Sequence, residues 1–485
     1  MKQAFFSLLF GIILSTFVFY TKAAEYSVAN AAEFKIALEK VQAGDEVIWK
    51  DGTYSDVKIN FQPKQKGTAD VWIVLKAQTA GKVIFTGSSQ LILNGTYLRA
   101  EGFLFEGKTT QEKGDVMAFS KSSMHCRITN CAVIDYAPAD AMLNNNWMSM
   151  QGIYNEVDHC YFKGKTNQGP YLVVRYLTDD TFIDGSDTAP SAYHRIHHNY
   201  FGYRTLPTDN GGEDLRIGDS KTSFTRGFNI IEYNYFEDHR LEPEVISNKS
   251  CDNIYRFNTF INNDGALVLR HGQRCFVYGN YFNGNSGRNK SGGIRIINPN
   301  QTVFNNYLEN LEGGKDHMKA PVTIMSGLAG SELNEYYPAH NAIVAFNTIV
   351  NSVGAVITAG AGNKAKGKPF DAPKNILLEG NVILYTTGKN TDPFIVLDNN
   401  TNYTLKNNFY TNGITGEKGF SLLKAKKIKT KDGFSFTEMD VDKTTIDSIN
   451  QRLVIHQIKL TDKAISNFNP VWKLNKNEVG VSWMK

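Results

Sequence analysis

The chain has 485 residues, 41% of them hydrophobic, and a formal charge of +4 that falls to +2 once Lys2 and Lys22 leave with a leader. So small an excess excludes a polyanion-binding surface spread over the whole protein, and any such binding must come from local clusters of arginine and lysine. Five cysteines, odd in number, thinly spread and without a CxxC pair, exclude a disulfide framework and a cysteine zinc site.

Residues 1–23 read as a secretory leader. Lys2 gives the basic start, Phe5 to Phe19 the apolar run, and Thr21-Lys22-Ala23 the small residues before a cut. The run falls short of the roughly 20 residues that cross a bilayer, so a mature chain from Ala24, periplasmic or secreted, is expected. Next, Asn30 to Val41 sets Phe34, Ala37, Leu38 and Val41 at helical spacing behind a capping asparagine. A lone amphipathic helix followed only by strands predicts an end cap on a stack of strands.

From there the chain repeats itself. β-rich runs lead to an asparagine and two apolar or aromatic residues at Asn199, Asn234, Asn258, Asn280, Asn306, Asn347, Asn381 and Asn408, with Cys131 and Cys160 in the same slot earlier. The intervals from 131 to 408 are 29, 39, 35, 24, 22, 26, 41, 34 and 27. A floor near 22 with variable additions is the signature of a parallel β-helix, and an ordinary β-sandwich has no reason to keep it. Asparagines at one place per coil predict an internal ladder, each amide bonding the next. The longer intervals require loops, chiefly around 178–192 and 312–340, where groove walls are expected. The solenoid is predicted over 24–415, and 416–485 is expected to cover its open end. The basic run Lys424 to Lys431 reads as a solvated edge or linker.

Offsets from the slots place polar residues on coils. Asn210, Glu244 and Arg270 lie 11, 10 and 12 after their slots, which predicts one column on three coils. Lys249 and Arg295, both at 15, predict a second column, with Arg216 close to it at 17. Glu242 and Glu244, one residue apart on an extended strand, share a face. With Asn210 they offer hard oxygen ligands that suit calcium better than zinc or copper. The plain alternative is that the glutamates pair with Arg240 or Arg256 on an exposed strand. Lys249 amid cations has the setting of a base, since neighbouring positive charge lowers a lysine's pKa. His271 is either a site residue or a packing histidine.

Three segments, Asn210-Gly211-Gly212-Glu213-Asp214-Leu215-Arg216, Glu242-Pro243-Glu244-Val245-Ile246-Ser247-Asn248-Lys249-Ser250 and Leu269-Arg270-His271-Gly272, resemble polysaccharide lyase family 6. Its members are right-handed parallel β-helix enzymes acting on alginate and, in one branch, on dermatan sulfate. The resemblance implies Asn210, Glu242 and Glu244 as calcium ligands, Lys249 as Brønsted base and Arg270 as the acid at the leaving oxygen. It also implies Arg216, His271 and Arg295 as substrate contacts. Because arginine rarely gives up its proton, Arg270 is better suited to stabilise the leaving oxygen while water supplies the proton. Glu213 tilts the resemblance toward the alginate branch. Dermatan sulfate lyase is the competing substrate reading, and a glycoside hydrolase or a non-catalytic glycan-binding solenoid are the competing classes.

Overall fold

Runs of three to five residues with alternating apolar side chains cannot build a core alone, and gain one by stacking on copies of themselves. The structure, a computed structural model, describes residues 23–110, 114–178, 189–208, 210–285, 287–362, 369–385, 392–411, 418–424, 427–437, 442–461 and 473–485. Three parallel sheets run along it. The first has 14 strands, from Glu25–Val28 to Tyr403–Lys406, and the second 14, from Gly52–Ser55 to Phe420–Leu422. The third has 12, from Lys58–Phe61 to Phe394–Val396. This is the expected all-β parallel β-helix, with the right-handed crossovers that twisted parallel strands favour. The predicted leader lies, but for Ala23, outside the described residues.

The helix Ala31–Leu38 caps the first coil. Asn30 accepts from the Glu33 amide at 2.9 Å, and Phe34 packs on Trp49 and Phe61 with ring centroids 5.6 and 6.4 Å apart. Inside the stack the asparagine ladder is continuous. Each Nδ2 from Asn199 to Asn381 donates to the next asparagine's Oδ1 at 2.9–3.1 Å, ending on Asn408. Two residues after the five slots from 160 to 280, Phe162, Phe201, Phe236, Phe260 and Phe282 form one stack with centroids 4.3–5.2 Å apart. The five cysteines are buried and free.

After residue 415 the chain does three separate things. Phe420–Leu422 adds a strand to the last coil of the second sheet, with Phe420 stacked on Phe394. The helix Lys443–Leu453 lays Ile446, Ile449 and Leu453 across the flank of the first sheet, against Phe276, Phe304 and Ile343. The final residues then run back toward the first coils, where Ser482 and Trp483 bond Asn130. Within the predicted loops, 179–188 lies outside the described residues. The stretch after 312 folds over the third sheet, with a short turn His317–Lys319 and a two-residue pairing of Gly327–Leu328 with Phe370–Asp371.

Candidate active site

The outer face of the third sheet carries the polar residues. Leu215–Gly218 turns Leu215 and Ile217 into the core and Arg216 outward. In Glu244–Lys249 a bulge lets Val245 and Ile246 both enter the core, which leaves Glu244, Ser247 and Lys249 facing out. Asn248 points inward, donating to the carbonyls of Ser250 (2.9 Å) and His271 (2.7 Å) and accepting from the Tyr255 hydroxyl (2.7 Å). The two chain segments that present Lys249 and His271 are thereby tied from beneath. Gly218, at φ +87, passes so close that a Cβ would lie 2.7 Å from the Lys249 carbonyl oxygen.

Three carboxylates converge here. Glu242 is 2% exposed; its Oε2 accepts from the Gly212 amide at 3.1 Å and its Oε1 from the Glu244 amide at 3.3 Å. Burial first, then the neighbouring Glu213 and Glu244 carboxylates, push its pKa up to about 8. Glu213 Oε1 lies 3.7 Å from Lys249 Nζ, while its buried Oε2 has no hydrogen-bond partner. Asn210 sits on the loop that ends at Gly212, with its side chain exposed. That loop is held by a fully buried Arg204, whose guanidinium donates to the carbonyls of Glu213 (3.0 Å), Gly169 (3.1 Å) and Asn167 (3.3 Å). Buried carboxylates crowded until one prefers its proton, with one oxygen left unbonded, fit a hard cation held by oxygen.

On the other side stand the cations. Arg270 Nε lies 3.9 Å from Glu244 Oε1, and the guanidinium is held by a distant loop through the carbonyls of Glu335 (2.6 Å) and Asn334 (3.2 Å). His271 is buried, with Nε2 3.3 Å from Ser220 Oγ and Nδ1 unpartnered. Burial, Arg270 and Lys249 push its pKa down to about 2, so the ring is neutral at pH 7. A cleft of about 500 Å³, lined in part by Ser220, Lys221, Glu332, Leu333 and Asn334, opens beside Arg270 and His271.

Strand register corrects both predicted columns. Arg216 pairs with Ser247, Ser247 with Val268 and Val268 with Arg295, whereas Lys249 pairs with Gly218 and His271. Arg216 and Arg295 therefore share a column, and Lys249 stands two residues beyond it. Glu244 pairs with Ala266, four residues before Arg270, so only the length of the arginine brings the two together. Counting from the slot fails because the path to the third sheet varies in length and bulges interrupt the strand Glu244–Lys249. Arg295 is 5% exposed and donates to the Met318 carbonyl at 2.9 Å, beneath the His317–Lys319 turn. Nor do the glutamates pair as the plain alternative had it: Arg240 bonds Asp238 and Arg256 bonds Glu232.

The family model described as Chondroitinase B matches residues 28–461. The chain belongs to this family, polysaccharide lyase family 6. Among solved structures, the PL6 family alginate lyase AlyGC is 33% identical with a TM-score of 0.81, the match covering 95% of this chain and 59% of that one. The chain thus spans a little under three fifths of AlyGC. A mannuronic acid specific family 6 lyase from human gut microbiota is 26% identical, TM-score 0.71, over 89% of this chain and 94% of that one. A family 6 polysaccharide lyase from Pseudopedobacter saltans is 28% identical, TM-score 0.66, over 79% and 92%. A search of curated proteins finds no match.

Two residues of the site escape the spacing argument. Glu213 belongs to a quoted segment, yet only the fold shows it against Glu242 and Lys249; Arg204 carries no local signal at all. A second internal ladder runs beside the first, outside the slot pattern. Five before the slots from 131 to 306 stand Cys126, Asn155, His194, Asn229, Asn253, Cys275 and Gln301, and of these Asn155, His194, Asn229, Asn253 and Gln301 accept from the preceding rung's backbone N–H at 2.8–3.1 Å. Among the described residues, Glu156, Asp158 and His197 on the first sheet also have ligand atoms close enough for a metal. Asp158 is already engaged there by Arg127, at 2.6 Å through both nitrogens, and by His159 and Thr129. An ion-pair ladder accounts for that group.

Proposed function

We propose that this family member is an exported alginate lyase that cleaves the polymer by calcium-assisted β-elimination, leaving a 4,5-unsaturated uronate on the new non-reducing end. One observation carries the reading. Buried polar atoms without partners, Glu213 Oε2, Arg216 Nε, Ser247 Oγ and His271 Nδ1, gather on the outer face that also holds Glu242, Glu244, Lys249 and Arg270. Native proteins seldom leave such atoms unsatisfied unless something binds there. The alginate lyase AlyGC and the mannuronic acid specific lyase among the similar structures support the substrate.

Asn210, Glu242 and Glu244, with Glu213 beside them, would hold the ion. Bound calcium would supply positive charge against the substrate carboxylate, where negative charge develops as C5 loses its proton. Lys249 Nζ takes that proton, and the C4–O bond to the leaving sugar breaks. Arg270, kept charged by its high pKa, stabilises the leaving oxygen, and water gives it a proton. Arg216 faces the substrate's anionic groups, and neutral His271 offers a ring nitrogen. Arg295 joins them only if the His317–Lys319 turn moves aside. On this reading a periplasmic or secreted location follows from the leader; among the described residues no helix is long and apolar enough to cross a membrane.

The competing substrate, dermatan sulfate, is favoured by the name of the matching family. Incubation with polymannuronate, polyguluronate and dermatan sulfate, with ultraviolet absorption of the unsaturated product followed, separates them. Absorption should grow with one or both alginate blocks and stay flat with dermatan sulfate. New reducing ends without absorption would mean hydrolysis and end the proposal.

A further inference from the structure

The interval between the slots at Asn306 and Asn347 is 41 residues, and part of the excess forms a loop that reaches back to Arg270, more than sixty residues earlier in the chain. The Arg270 guanidinium carbon lies 3.9 Å from the centre of the Tyr336 ring, while Nη1 and Nη2 donate to the carbonyls of Glu335 (2.6 Å) and Asn334 (3.2 Å). The ring is itself anchored. It packs on the outer-face cluster of Ala266, Val268 and Ile297, and the Tyr336 carbonyl accepts from the Leu328 amide at 2.8 Å. Asn298 ties the two parts together, donating from Nδ2 to the Arg270 carbonyl (3.0 Å) and from its amide to the Tyr337 carbonyl (3.2 Å).

We infer that Tyr336 is a positioning residue for the elimination: its ring fixes the plane of the Arg270 guanidinium and leaves the free N–H edge directed at the leaving oxygen. The inference rests on the role given to Arg270 above. An arginine has many rotamers and would otherwise lose freedom at the moment of reaction, whereas one stacked on a ring and bonded to two carbonyls is already ordered. Stacking uses the face of the guanidinium and none of its five N–H groups. Two of those groups go to the loop carbonyls and Nε–H lies nearest Glu244, so two remain for substrate.

The test is steady-state kinetics of Tyr336→Leu, Tyr336→Phe and Arg270→Ala, with calcium affinity and thermal unfolding measured alongside. Tyr336→Leu should lower kcat about tenfold to thirtyfold, the range a desolvated stacked cation implies, with KM and calcium affinity unchanged. Tyr336→Phe, which keeps the π face, should stay within about twofold of the parent, and Tyr336→Leu should cost almost nothing further in the Arg270→Ala background. If leucine costs the fold, Tyr336→Met fills the same packing without a ring and answers the same question. A leucine or methionine variant with the parent's kcat, or a phenylalanine variant as slow as leucine, overturns the inference. If Arg270→Ala itself keeps full kcat, the role of Arg270 fails instead.

Discussion

At the residue scale, Lys249 and Glu242 separate the proposed proton transfer from the proposed cation binding. Lys249 is held by a bulge, by Asn248 beneath it and by Glu213 at 3.7 Å. Lys249→Ala should lower kcat by about 10²- to 10⁴-fold, the range for losing a positioned proton-transfer group, in an assay of unsaturated product, while calcium affinity stays. Glu242 carries a pH signature. Its pKa in the fold is about 8 against 4.5 for a free glutamate, so without calcium the folded state keeps a proton that the unfolded chain releases. The stability this contributes is complete below about pH 4.5 and is lost as pH rises toward 8. Melting temperatures of the calcium-free protein should fall across that window, and Glu242→Gln should flatten the slope. Glu242, Glu244, Lys249 and Arg270 were legible in the sequence because their types and order are chemically specific. Glu213 has no such signal, because its contacts with Glu242 and Lys249 come from a neighbouring coil rather than from neighbours in sequence.

At the scale of elements, the asparagine ladder and the held loop do different work. Each rung's Oδ1 accepts both the Nδ2 and the backbone N–H of the rung before it, so Asn280→Ala strands the buried Asn258 backbone N–H and should cost about 1–3 kcal/mol in denaturant unfolding. Arg204 orders the loop bearing Asn210 and Glu213. Arg204→Met should therefore weaken calcium binding severalfold more than it changes KM for polymer at saturating calcium, measured by calorimetry and kinetics on the same sample. The ladder was readable because one residue type recurs at nearly one interval. Its companion five residues earlier was not, since asparagine, histidine, glutamine and cysteine share that place and the eye follows identity before spacing. The columns failed for a physical reason: offset counts assume turns of equal length, and bulges shift strand register without changing the count.

For the whole molecule, a solenoid's stability is close to a sum over neighbouring coils, and the chain after residue 415 adds contacts that skip neighbours. Its tail joins Lys476 to Glu237, Leu474 to Thr259 and Ser482 to Asn130. Deleting residues 473–485 should lower the melting temperature and broaden the transition, because the coils then unfold less as a unit, while kcat at 25 °C changes little. A coil period is visible in sequence, but contacts between the tail and coils hundreds of residues earlier leave no pattern there. On the proposed reading, two neighbouring turns of this solenoid build a cation cradle beside a base, and a third adds Arg270. Titration calorimetry with calcium on the parent, Glu242→Gln and Lys249→Ala is the deciding measurement. One calcium per chain is expected for the parent, severe loss in Glu242→Gln, and unchanged binding in a Lys249→Ala protein that no longer cleaves alginate. Equal binding by the parent and Glu242→Gln, or none by the parent, would contradict it.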